Sequence, residues 1–306
     1  MTNSQRLSPL YLLLMPIFWG AIISSYIGLA NLPNQRGWLS VIFELLLCGT
    51  AMMVAYHPII HLLDLITPDF IIKNQTSTTP SRIAILYTVC NDFDQVAFKS
   101  CVNTAKHVGG HVYVLDDSKS DSILDNEINY SKDSDFITII HRSSSHGFKA
   151  GNINNAMRTQ SLCERFDYII LADADEILSP EAAKTLVATL DANPEIAFVQ
   201  LAHSSRDDEM SWFGRIMRVM IDVKYRYYRK YTNIYGLPLS NGHGVAIRLT
   251  LLNNGFPEVI SEDIALSIDL RLDGYRGVFL SQPLCQESVV DQQFPVTVVN
   301  LSAYAT

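Results

Sequence analysis

The sequence predicts an α/β protein, a doubly wound and mostly parallel sheet preceded by an N-terminal helical hairpin that crosses a membrane. Three observations carry this expectation. From residue 82 onward, short apolar runs rich in large and β-branched residues alternate with helical stretches, which is the pattern of βαβ units. Acids stand where successive runs stop: Asp92, then Asp116 and Asp117, then Asp173 and Asp175. Residues 9–30 are almost wholly apolar and uncharged, and about 20 such residues span a bilayer core.

The elements follow in chain order. Residues 38–56 form a second apolar stretch, interrupted by Glu44, and a short turn at 31–37 joins it to the first. The first run is too long for the apolar core of a signal peptide, and a second run follows it, so the pair reads as a hairpin. Arg6, Lys73 and Arg82 against Arg36 favour both ends in the cytoplasm. Residues 57–66 are mixed and read as interfacial. Residues 1–73 therefore form the membrane part, 74–81 a polar linker, and 82–306 the globular domain. In that domain, strands are expected at 82–89, 111–115, 136–141, 168–172 and 196–201. Helices are expected at 98–107, 151–165 and 180–190, the last with Ser179 as N-cap and Pro180 in its first turn.

Composition narrows the function. Acids outnumber bases 31 to 23, a formal net charge of −8, and no basic stripe appears, so nucleic acid is not an expected partner. The five cysteines are scattered without a Cys-x-x-Cys, as buried thiols in a reducing compartment would be. A basic, Tyr-rich stretch at 212–235 suits an anionic membrane surface or a solvated face equally well.

The motifs carry the chemistry. Tyr168 to Ala172 drives up to Asp173-Ala174-Asp175-Glu176. Acids at the carboxyl end of a buried strand stand where open α/β sheets bind ligands, and two carboxylates there suit a hard divalent cation. An Asp-x-Asp arises about once by chance in a chain of this size. Two others exist here, at Asp92-Phe93-Asp94 and Asp133-Ser134-Asp135, so context has to distinguish the third. Any single strand-end acid could equally be a turn residue or helix cap.

The ordered set Tyr113-Val114-Leu115-Asp116-Asp117-Ser118, Gly147-Phe148-Lys149-Ala150-Gly151-Asn152-Ile153-Asn154, Leu171-Ala172-Asp173-Ala174-Asp175 and Ser261-Glu262-Asp263 resembles glycosyltransferase family 2, in its membrane-bound, cellulose-synthase-like branch. The likeness runs from about Ile83 to Glu287. It implies a GT-A-type sheet and an inverting, metal-dependent transfer of a hexose from a nucleotide-diphosphate sugar, with a leaning to UDP, to a glycan or lipid-linked acceptor. Residue by residue, it implies Asp263 as catalytic base, and Asp173 and Asp175 as ligands of Mg²⁺ or Mn²⁺. Asn91, Asp92, Asp117, Lys149, Asn152 and Asp173 would stand on the donor side, and Gly242, His243 and Glu262 on the acceptor side. Read alone, Asp263 is also a plausible first-turn acid, Lys149 a surface lysine and His243 a structural histidine in a glycine-rich turn.

The sequence departs from that branch near its end. No Gln-x-x-Arg-Trp follows the Ser-Glu-Asp helix, and no further apolar spans follow it. The expectation is thus a non-processive enzyme, a chain that relies on a partner membrane subunit, or a truncated, non-catalytic nucleotide-binding relative. Its expected place is the inner membrane, with the globular domain in the cytoplasm.

Overall fold

The structure is a computed structural model that describes residues 81–118, 135–142, 145–206, 230–235 and 237–288, with isolated positions at 20, 46, 49, 62 and 66–68. The chain divides into two compact units, residues 1–69 with 227–236, and residues 70–226 with 237–306. In the first unit, Gly20, Leu46, Gly49, Leu62 and Ile66 are helical, as is α5 (Thr232–Tyr235). The rest of the expected hairpin lies outside the described residues. Among the described residues, no helix is long and apolar enough to cross a membrane.

The second unit holds the sheet. Its strands are β1 (Ile83–Val89), β2 (His111–Asp116), β3 (Ile137–His141), β4 (Tyr168–Asp173), β5 (Ile177–Leu178), β6 (Ile196–Ser205), β7 (Val245–Arg248) and β8 (Arg276–Glu287). They lie in the order β3-β2-β1-β4-β7-β6-β8-β5. The first four pair in parallel, as the βαβ pattern requires. β7 then runs antiparallel to both β4 and β6, and β5 antiparallel to β8, while β8 lies parallel to β6. The sheet is therefore mixed. The strands expected from the sequence include neither 245–248 nor 276–287. Sequence reading could not see β7 because four residues behind a glycine-rich turn carry too short a pattern to count.

Helices cover both faces, and the strand pleat explains why. Ile83, Ile85, Tyr87 and Val89 of β1 pack on α1 (Gln95–Val108) and α4 (Pro180–Asp191). Ala84 and Leu86, one residue out of phase, face α2 (Phe148–Thr159), α3 (Leu162–Arg165) and α6 (Glu262–Leu272). This doubly wound arrangement agrees with the expectation, and the near-continuous burial along β1, β2 and β4 is what a sheet covered on both faces demands.

Local chemistry sets the ends. The Asp94 carboxylate caps α1 by accepting from the N–H groups of Val96 and Ala97, and Gly109 closes the helix at φ 68°. Ser179 caps α4 through the N–H of Ala182, with Pro180 in the first turn. The single helix expected over 151–165 is two. Ser161 takes φ 48° and breaks it, and the N-terminal piece begins earlier, at Phe148.

Candidate functional site

Register brings the acids together. β1 lies between β2 and β4, with Val89 opposite Asp116 and Thr88 opposite Asp173. The loops beyond these three strand ends enclose a crevice of about 430 Å³, lined by Asp92, Asp117, Lys149, Asn152, Asp173 and Asp175 among others. Tyr87, wholly buried, donates its hydroxyl hydrogen to the Ala174 carbonyl at 2.7 Å and so fixes the loop that carries both motif acids. Arg206 supports the same loop from β6, donating to the Asp175 carbonyl at 3.3 Å and to the Asp94 carboxylate at 2.7 Å.

Each residue expected on the donor side has a definite setting. Asp173 accepts from the Thr88 hydroxyl at 3.0 Å and from the Lys149 ammonium. Burial works to raise the Asp173 carboxyl, but the charges of Lys149 and His243 hold it below the ordinary carboxylate range. Burial also opposes the Lys149 charge, and Asp173 more than restores it, so that lysine is raised. Among the described residues, Asp175 has no such cation in contact. Desolvation, followed by the charge of Asp173, pushes it up to about 6. Asp92, at the open side of the crevice, accepts from the Cys90 N–H at 2.6 Å and is raised by desolvation and by Asp173. Asn152 is 2% exposed, and its Oδ1 has no hydrogen-bond partner among the described residues. Such a buried acceptor matches a ligand hydroxyl.

Two donor-side residues sit differently from the simple expectation. Asp117 lines the crevice, but both of its oxygens are held by Arg142, with Nε to Oδ1 at 2.7 Å and Nη2 on Oδ2. Asn91 is outside the crevice lining. It turns the chain at φ 65°, and its N–H donates to the Ser118 hydroxyl at 2.8 Å. Asp116 is structural, held by the Ser118 N–H and His141.

Gly242, expected on the acceptor side, meets the crevice through Lys149, whose second hydrogen bond goes to its carbonyl at 2.9 Å. Gly242 lies against the start of α6. A Cβ placed on it would stand 3.4 Å from Asp263 Cβ, 3.6 Å from its Oδ2 and 3.6 Å from Glu262 Oε1. The Ser267 hydroxyl clamps the two segments, donating to the Asp263 carbonyl at 2.7 Å and accepting from the Ser240 N–H at 2.9 Å. Asp263 accepts from its neighbour Ile264 N–H, while Ser261, at the N-cap, makes no side-chain cap. Glu262 is buried, and desolvation raises its carboxyl. His243 is not part of the crevice lining. Its ring lies between Glu176, 3.5 Å away, and Glu287, 3.7 Å away. Burial acts to lower it, but Glu176 prevails and it is pushed up to about 9.

Sequence reading missed several participants. Arg142, Thr88 and Gln200 carried no motif. Gln200, wholly buried on β6, accepts from the Asn241 N–H and donates to the carbonyls of His243 and Gly244, so it sets the turn. Phe148 was visible only as part of the Lys-Ala-Gly-Asn stretch. It is 66% exposed, at φ 50°, on the crevice wall.

A mixed sheet with acids gathered at the ends of β1, β2 and β4 has the architecture of the GT-A-type glycosyltransferase fold. Residues 168–297 match the family described as Glycosyl transferase family group 2. A curated relative from Oryza sativa subsp. japonica, named "Probable glucomannan 4-beta-mannosyltransferase 7", is 26% identical over 178 residues, 55% of this chain. The chain covers 30% of that relative's length. Among solved structures, the mannosyltransferase PcManGT from Pyrobaculum calidifontis, in complex with GDP-Man and Mn²⁺, aligns over 92% of this chain and 70% of its own. Its TM-score is 0.54 at 18% identity, a likeness of fold.

Proposed function

We propose that the chain is an inverting, metal-dependent glycosyltransferase. It moves a hexose from a nucleotide-diphosphate sugar to a glycan or lipid-linked acceptor at the cytoplasmic face of the inner membrane. The observation that carries this reading is the Lys149 bridge. One ammonium joins Asp173 of the donor crevice to the turn that packs on Asp263, so donor acids and candidate base share one site.

Asp173 and Asp175 fit Mg²⁺ or Mn²⁺. Asp175 is held up at about 6 by desolvation and its neighbour's charge, which a divalent cation between the two would relieve. When bound, such a cation supplies charge neutralisation for the departing diphosphate. Asn152 and Asp92 offer acceptors for donor hydroxyls, and Lys149 places a fixed positive charge beside them. Asp263, at the start of α6, takes the proton of the attacking acceptor hydroxyl. A single base acting opposite the leaving group gives inversion at the anomeric carbon. The apolar stretches at 9–30 and 38–56 support a membrane location, and a partner membrane subunit could extend the acceptor path.

The test is release of nucleoside diphosphate by the detergent-purified full chain from a panel of UDP- and GDP-hexoses, with Mn²⁺ or Mg²⁺ and with chelator. Release that requires the metal supports the reading and identifies the donor. No release above the chelated sample with any donor and acceptor contradicts it.

A further inference from the structure

Beside the strand-end acids lies a cluster outside the crevice lining, to which the proposed transfer assigns no step. Glu176 follows Asp175 directly, yet its side chain is fully buried, as is that of His203 on β6. His203 Nε2 and Glu176 Oε1 are 3.1 Å apart, and His243 Nδ1 lies 3.5 Å from Glu176 Oε2. The potential ligand atoms of all three residues fall within 4.8 Å of one another. The two imidazoles, with centroids 4.6 Å apart and planes at 50°, thus converge on both oxygens of one carboxylate. An ordinary buried ion pair needs only one of them.

The spacing suits a small cation. Tetrahedral bonds of about 2.1 Å hold donor atoms about 3.4 Å apart. The surroundings suit one as well. Glu176 Oε2 accepts from the N–H groups of Gly244 at 3.0 Å and Asp173 at 3.3 Å, which fixes the carboxylate. The other ring nitrogen of His243 lies 3.7 Å from a Glu287 oxygen, the outer carboxylate that metal-bound histidines commonly have. A Cβ on Gly244 would stand 2.2 Å from His203 Nε2 and 2.8 Å from Glu176 Oε1, so the chain keeps this spot free of side-chain bulk.

We propose that Glu176, His203 and His243 form a site for a divalent transition cation of the Zn²⁺ class, with Glu287 as the outer partner of His243. Two nitrogens and one carboxylate favour such an ion, whereas the all-oxygen pair Asp173 and Asp175 favours Mg²⁺ or Mn²⁺. The ion ties β6 and the 242–244 turn to the loop after β4, and so braces the crevice from behind. The proposal does not rest on the transfer activity, and its readout is metal content.

The full chain, purified in detergent, is loaded with Zn²⁺ in excess Mg²⁺, dialysed against Mg²⁺ alone and assayed for metal. About one Zn²⁺ per chain is expected to remain. Co²⁺ in its place is expected to show the intense visible bands of a four-coordinate nitrogen and oxygen site. His203→Ala should lose the retained Zn²⁺, and Asp175→Asn should keep it. A wild-type chain that retains no Zn²⁺ and leaves Co²⁺ with its aqueous spectrum overturns the proposal, and this arm needs no variant to fold. Zn²⁺ retained by His203→Ala, or lost only by Asp175→Asn, overturns it too.

Discussion

Asp175 is the residue whose environment differs most usefully from its neighbour's. Asp173 is held low by Lys149, while Asp175 is raised from 3.8 to about 6. A carboxyl raised in the folded state binds more protons there than in the unfolded chain between those values. Its contribution is present below the unfolded value and is lost as pH rises through about 6. Without metal, thermal stability should therefore fall as pH is raised from 4.5 to 7 by an amount that Asp175→Asn removes. Adding Mn²⁺ at pH 7 should restore it, which differential scanning calorimetry would show. The Arg142–Asp117 pair sits at side-chain exposures of 11% and 8%, so removing one partner strands a buried charge. Arg142→Met should cost about 3 kcal/mol in chemical denaturation. Of these settings, the sequence disclosed the acids and Lys149 but not Arg142. Asp173, Asp175 and Lys149 sit in motifs, whereas Arg142 reaches Asp117 from a loop beyond β3 that no spacing marks.

At the scale of elements, the turn from Ser240 to Gly244 does most to assemble the site. The side chains of Gln200, Ser267 and Glu176 hold it by accepting from its backbone N–H groups, and Gly244 at φ 58° passes directly over His203. Gly244→Ala combines a left-handed backbone with a Cβ 2.2 Å from His203 Nε2, and should destabilise the domain by about 3 kcal/mol, read as a lowered midpoint of denaturation. Strands β1 to β4 were legible because each is a bounded apolar run, and the caps of α4 were legible because Ser-Pro is a local signal. β7 and β5 were not, since four and two residues held by neighbouring strands leave no periodic trace. The break at Ser161 was hidden too, because neither Gly nor Pro stands between Asn152 and Arg165 to mark it.

Over the whole molecule, the pleat of β1, β2 and β4 divides the core into two faces, and the strand ends left between them are where chemistry gathers. The βαβ rhythm made that plan readable. The joining of Asp263 to Asp173 depends on contacts between residues some 90 positions apart, which only the fold supplies. The proposed membrane anchorage predicts that the full chain stays with the membrane fraction through alkaline carbonate washing, as immunoblotting of pellet and supernatant would show. The central claim is that one crevice binds the donor while Asp263 activates the acceptor. Single-turnover transfer should therefore be compared between the wild type and Asp263→Asn, with metal-dependent nucleotide binding measured on the same samples. The account predicts binding within a few-fold of wild type and transfer slowed by about 100- to 10,000-fold. Transfer at the wild-type rate in Asp263→Asn would contradict it.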